Sequence, residues 1–159
     1  MLDSLTRIRL TEQLKRHEGA IRNGQGRHIA YRDSVGVLTI GYGHNLGAGP
    51  IPDFDPALDT LSENEAGDLL ARDAHAAELA VFAALPWADG LSPARQAALV
   101  NMAFNLGMRG LLGFKNTLAD VQAGNYAGAA ARMSQSKWAG QVGARARELA
   151  RQMETGKWI

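Results

Sequence analysis

The residues best suited to chemistry lie within the first 44 positions. Glu18 closes the stretch "LKRHEG", and Asp33 and Thr39 lie on "YRDSVGVLTIGYGH", residues 31–44, which ends in His44. A glutamate at the C-terminal end of a helix faces the negative pole of the helix dipole, so its charged form is disfavoured unless a cation offsets the dipole. A carboxyl that keeps its proton near neutral pH can act as a general acid. Each residue also has an ordinary reading. Glu18 could be a surface glutamate at a helix end. Asp33 opens a turn, where aspartate often caps backbone amides. Thr39 stands in a strand, where threonine is favoured anyway. The chain has no cysteine, which excludes disulfides and thiolate metal sites. His17, His28, His44 and His75 show no zinc-binding spacing, so no metal and no cofactor is expected.

These residues need elements to position them. A helix is expected over residues 4–18, with Leu5, Ile8 and Leu14 as its apolar stripe and Gly19 as a left-handed stop. Residues 19–30, "GAIRNGQGRHIA", read as a loop or an irregular hairpin. Strands are expected over 29–33 and 37–42 around the turn "DSVG", with a third near 45–51. "GAGPIPDFDPALDT" reads as a loop. "SENE" is a capping box, Ser62 with Glu65, that opens a helix running to about residue 84, where Leu85-Pro86 closes it. Ser92 and Pro93 start the next helix and Gly107 ends it. Its middle, "AALVNMAF", is apolar on nearly every face and should be buried all round. Further helices are expected over 115–123, 126–134 and 143–154.

The expected fold class is α+β, as a single domain over 1–159. A small β-hairpin lobe spans about 19–61. A helical lobe spans about 85–159 and includes the N-terminal helix, and a connecting helix spans about 63–84. Two lobes make a cleft, and the "YRDSVGVLTIGYGH" segment is expected to face it.

Composition is that of a soluble globular chain, with 46% hydrophobic and 21% charged residues. The first nineteen residues are charged throughout, without the apolar run of a signal peptide or membrane anchor, so a cytoplasmic protein is expected. Charge is uneven. Residues 1–32 carry seven bases and three acids, residues 53–91 one base and nine acids, and residues 132–159 six bases and two acids. Arg145, Arg147 and Arg151 fall close together on the last helix. The basic ends are either solvated helix faces or a surface that meets an anionic polymer such as cell wall or lipopolysaccharide.

Glu18, Asp33, Thr39 and "IGYGH", taken in that order, resemble the active-site segment of the phage lysozymes of the T-even type and the related phage endolysins. The resemblance runs from about Leu14 to Trp158. "RQAALVNMAFNLGMRGLLGFKNTL" is similar to the family's central helix and following turn, and "SKWAGQ" and "ETGKW" to its C-terminal segments. It implies hydrolysis of the β-1,4 bond between N-acetylmuramic acid and N-acetylglucosamine in bacterial peptidoglycan, leading to host lysis. Glu18 matches the proton donor, Asp33 the second carboxylate, and Thr39 the hydroxyl that helps hold the attacking water. Acetal cleavage needs an acid on the leaving oxygen and a base or stabiliser at the anomeric carbon. A held water implies carboxyls roughly 6.5–9.5 Å apart and inversion of configuration.

The same resemblance implies supporting roles. His44 matches a histidine that pairs with an aspartate on the following helix, here Asp73, in a structural role. Arg145 matches an arginine close to the catalytic glutamate. Asn101, Phe104, Asn105 and Trp138 match positions lining the cleft or the core beneath it, with Asn105, Phe104 and Trp138 as substrate-binding candidates. The implied partners are peptidoglycan and a holin that opens the inner membrane; no nucleic acid is expected, and the protein should act as a monomer that stays in the host cytoplasm until lysis. One departure stands out. Fourteen residues separate Glu18 from Asp33, six more than the family usually has, and the extra residues fall in "AIRNGQGRHI" as a basic flap or a longer turn. Two other readings compete: a lytic transglycosylase, which needs the acid alone and makes an anhydro-sugar, and a non-catalytic cell-wall binding module.

Overall fold

The computed structural model describes all 159 residues. The chain is α+β. In order it forms α1 (Ser4–Glu18), β1 (His28–Ile29), β2 (Tyr31–Arg32), β3 (Leu38–Ile40), β4 (His44–Asn45), β5 (Thr60–Leu61), α2 (Glu63–Ala84), a 3-10 turn (Pro86–Gly90), α3 (Pro93–Leu112), α4 (Lys115–Gln122), α5 (Tyr126–Gln135), α6 (Lys137–Val142) and α7 (Ala144–Thr155). Two compact units divide it. One is Thr11–His75; the other is Met1–Leu10 with Ala76–Ile159, so α1 and α2 each run through the division. No helix is long and apolar enough to cross a membrane.

Asp3 caps α1, its Oδ1 accepting the Thr6 N–H at 2.7 Å. The apolar stripe of α1 differs from expectation. Leu14 is fully buried, but Leu5 and Ile8 are 59% and 62% exposed. The inward face is Thr6, Leu10, Gln13 and Leu14 instead. At about 100° per residue, Leu5 lies roughly half a turn around the helix from Leu14, so the two cannot share a face. Leu10 and Leu14, four apart, can.

In the unit Thr11–His75, β2, β3 and β4 form a three-stranded antiparallel sheet with Tyr31 opposite Thr39 and Ile40 opposite His44. The third strand, expected near 45–51, is β4 and ends at Asn45. The Asn45 side chain accepts the Gly47 and Ala48 N–H groups and so turns the chain away from the ladder. β5 falls at the end of the segment expected to be loop. It pairs with β1, His28 opposite Leu61 and Ile29 opposite Thr60. Residues 19–30 form the irregular hairpin that presents β1. Arg22 bridges to His28, and the Asn23 Oδ1 accepts the Gln25 and Arg27 N–H groups. The capping box opens α2 as expected: Ser62 N–H donates to Glu65 Oε2 at 2.7 Å, and Glu65 N–H to Ser62 Oγ at 3.2 Å.

In the other unit α3 is buried through Ala97–Ala98–Leu99–Val100–Asn101–Met102–Ala103. Ala129, Ala130 and Met133 of α5 and Ala146, Leu149, Ala150 and Met153 of α7 complete its core. Ser92 precedes α3 but makes no side-chain cap; its hydroxyl donates to Gly156 O at 3.4 Å. Gly107 interrupts α3 rather than ending it. Its φ of 71° and ψ of 163° break the helix, which resumes and reaches Leu112. The unexpected α6 is opened by Ser136, whose side chain accepts the Ala139 N–H. The three arginines of α7 do not share a face. Arg145 is only 6% exposed, while Arg147 and Arg151, four residues apart, stay outside.

Candidate active site

Glu18 is the last residue of α1, and Gly19 follows with a φ of 64°. Lys15, Arg16 and His17 share its final turn, where basic groups complement the helix dipole. The carboxyl rests against the backbone of Gly43. A Cβ placed on Gly43 would stand 2.9 Å from Glu18 Oε2, and the φ there is 84°. Only glycine meets both the close approach and the left-handed conformation.

Asp33 and Thr39 are joined through one residue. Asp33 Oδ1 accepts the Val35 N–H at 3.0 Å and the Val37 N–H at 2.8 Å. Thr39 Oγ1 donates to Val37 O at 2.9 Å. Asp33 thus does cap turn amides, but both bonds fall on Oδ1 and none on Oδ2. The Thr39 hydroxyl has given its hydrogen away and keeps acceptor lone pairs. Tyr31 lies opposite Thr39 on the ladder, so those two side chains emerge on one face of the sheet. Burial pushes the Tyr31 phenol up, and the charges of Glu18 and Asp33 push it further. Both carboxylates therefore lie within electrostatic reach of one phenol.

His44 Nδ1 is 2.7 Å from Asp73 Oδ2, and its Nε2 is 2.5 Å from Gly49 O. Each ring nitrogen faces an acceptor, so the contact holds β4, α2 and the turn after β4 together. In the helical unit, Arg145 donates to Asn101 Oδ1 at 2.9 Å and to Asn101 O at 3.3 Å. Trp138 is buried and its indole N–H donates to Asn105 Oδ1 at 2.7 Å, while its ring meets Phe114 edge-on with centroids 5.9 Å apart. Asn105 is exposed and Phe104 half-buried.

The longer segment between Glu18 and Asp33 is fastened at its base. Arg27 Nε donates to Thr60 Oγ1 at 2.6 Å. Arg22 Nη2 donates to Glu63 Oε2 and to the Tyr42 hydroxyl, each at 2.9 Å. His28 is fully buried and its Nε2 lies 2.9 Å from Glu63 Oε2. Its Nδ1 has no partner, so a proton on Nε2 leaves only a bare lone pair in the interior. The Tyr42 hydroxyl donates to Glu63 Oε1 at 2.7 Å, and Lys15 Nζ stands 3.5 Å from the same oxygen. Glu63 thus gathers side chains from α1, the longer segment and the turn before β4. Burial alone would raise its carboxyl; hydrogen bonds from His28, Tyr42 and Arg22 outweigh that and hold it at about 2.

The local sequence does not mark Tyr31, Tyr42, His28 or Glu63 as site residues. Tyr31 and Tyr42 flank Asp33 and Thr39 within residues 31–44. Glu63 stands inside the capping box "SENE", whose pattern points to Glu65. No local pattern marks His28.

Chemically, the unit Thr11–His75 offers a carboxyl seated on bare backbone and a second carboxylate tied to a hydroxyl with open acceptor sites. Groups of these types are able to serve as an acid and as a pair that binds water. The family model described as phage lysozyme matches residues 15–154, a span that takes in Glu18, Asp33, Thr39, His44, Asp73, Asn105, Trp138 and Arg145. The chain therefore belongs to the phage lysozyme family, whose members are hydrolases that degrade bacterial peptidoglycan.

Proposed function

We propose that the protein is an endolysin that cleaves the β-1,4 bond between N-acetylmuramic acid and N-acetylglucosamine, with inversion. Glu18 protonates the leaving glycosidic oxygen. Asp33 takes a proton from a water on the opposite face of the sugar, and Thr39 holds that water. The observation that carries this reading is the shared attachment of Asp33 and Thr39 to Val37. Because Thr39 donates to Val37 O, its oxygen can accept a hydrogen from water. Asp33 Oδ2 can accept the other. The water lone pair is then left for the anomeric carbon, as inverting hydrolysis requires. A nucleophilic Asp33 would have no use for a neighbouring hydroxyl so oriented.

Asn105, Phe104 and Trp138 are proposed to serve the substrate side from the helical unit. Asn105 is the direct contact, and Trp138 fixes its orientation through the indole bond. Arg145, buried and anchored on Asn101, is proposed as a supporting residue. His44 and Asp73 stabilise rather than catalyse. The proposed setting is the host cytoplasm, with a holin giving the monomeric enzyme access to the wall and so causing lysis. Rapid NMR of fresh product from purified peptidoglycan tests the chemistry. The expected result is an initial α-anomer with a free reducing end. An initial β-anomer overturns inversion, and a 1,6-anhydro end favours a transglycosylase.

A further inference from the structure

The group around Glu63 takes no part in the mechanism above, yet it touches both structures that seat Glu18. Lys15 lies three residues before Glu18, on the final turn of α1. Its ammonium is 3.5 Å from Glu63 Oε1 and 5.6 Å from the centre of the Tyr42 ring. Tyr42 directly precedes Gly43, the residue whose backbone meets the Glu18 carboxyl. Its ring is buried, and Arg22 covers it as well, 5.8 Å from the ring centre. His28 meets the same ring edge-on at 5.1 Å. Lys15, Tyr42, Arg22 and His28 each also reach one of the two oxygens of Glu63.

We infer that Glu63 is a positioning residue for the reaction: by anchoring Lys15 and Tyr42 it clamps the last turn of α1 to the Gly41–Gly43 turn and so fixes the carboxyl of Glu18. This inference rests on the assignment of Glu18 as the acid. It follows from reach. Glu63 has no hydrogen bond or ion pair to Glu18, but both walls of the Glu18 seat are one residue or one helical turn from an atom that Glu63 holds. Glu18 closes a helix and is followed by a left-handed glycine. Misplacing a reacting group by about 1 Å can cost about a hundredfold in rate. The longer segment gains a function on the same ground, since it supplies Arg22 and His28 to the clamp.

The test is steady-state kinetics on soluble peptidoglycan glycan chains with the wild type, Glu18→Gln, Glu63→Gln, Tyr42→Phe and the Glu63→Gln/Tyr42→Phe double variant. Tyr42→Phe keeps the ring and loses only its hydroxyl, so it reports on the clamp even if Glu63→Gln does not fold. The expected result is a fall in kcat of about 10- to 100-fold for Glu63→Gln, and about 10-fold for Tyr42→Phe, with KM within about twofold. The double variant should be little worse than Glu63→Gln alone, because both remove one connection. If Glu18→Gln is inactive while the folded Glu63 and Tyr42 variants keep wild-type kcat, or lower kcat only by lowering the folded fraction, the positioning role is wrong and the acid assignment stands. If Glu18→Gln keeps its activity, the acid assignment falls and this inference falls with it.

Discussion

Asp33 and Thr39 hold opposite ends of the same residue: the Val37 N–H donates to Asp33 Oδ1 at 2.8 Å, and Val37 O accepts from Thr39 Oγ1 at 2.9 Å. Their separation is therefore set by one stretch of backbone inside a tight hairpin. If they handle a water together, Asp33→Asn should lower kcat by about 10²–10⁴-fold, the range for loss of a positioned base. Thr39→Val should lower it less, since Asp33 remains. The measurement is release of reducing ends from purified cell walls. A Thr39→Val protein with full activity would remove the hydroxyl from the mechanism.

Glu18→Gln should abolish detectable turnover while leaving the fold intact. An amide of the same size cannot supply a proton, and general acid catalysis is worth about 10²–10⁴-fold. Circular dichroism on the variant establishes that it is folded, and zymography reads its activity. A folded and fully active Glu18→Gln would sink the assignment.

Gly43→Ala should separate stability from activity. The added Cβ would meet Glu18 Oε2 at 2.9 Å, the far end of a flexible side chain that can swing aside. The left-handed φ costs about 1–2 kcal/mol for alanine. The fold should survive with a lowered melting temperature, while activity falls out of proportion because the carboxyl has been displaced. Activity that tracks the folded fraction alone would show that the seat of Glu18 is not tight.

The Glu63 carboxyl should leave a signature in acid. Held at about 2 rather than 4.5 by His28, Tyr42 and Arg22, it lies below its unfolded value. A depressed carboxyl contributes stability above the unfolded value and loses that contribution as pH falls through the folded one. Lys15 and Arg22 beside it keep their charge throughout that range. The stability difference between wild type and Glu63→Gln should therefore be full at neutral pH and shrink from about 4.5 towards 2. Urea unfolding at several pH values measures it; a gap that stays constant over this window would contradict the hydrogen bonding described here.

Asp73→Asn should destabilise the protein by about 1–3 kcal/mol. The His44 ring is 11% exposed and loses its charged partner. Chemical denaturation at neutral pH checks this. An unchanged midpoint would mean that the contact adds nothing to stability.

Local patterns carried much of the candidate site into view from the sequence. The capping box of Ser62 and Glu65, the glycine after Glu18 and the hairpin turn opened by Asp33 all act within a few residues, so chain order alone determines them. The all-apolar middle of α3 likewise determined its burial, because no face of it could be solvated cheaply. The boundaries of α2 followed from a cap at one end and a proline at the other. What the sequence could not decide were choices made between distant segments. Leu5 and Leu14 are equally apolar, and only packing against the rest of the fold selected the face that buries Leu14. β5 exists because β1 is there to pair with it, across about thirty intervening residues. By spacing Arg145 is one basic residue among three, and its burial against Asn101 separates it from the exposed Arg147 and Arg151. Nothing in the local sequence marks Glu63, whereas the fold brings Lys15, Arg22, His28 and Tyr42 to its two oxygens. A residue's type and spacing limit what it can do, but its partners come from chain segments whose approach depends on the total burial of the whole fold.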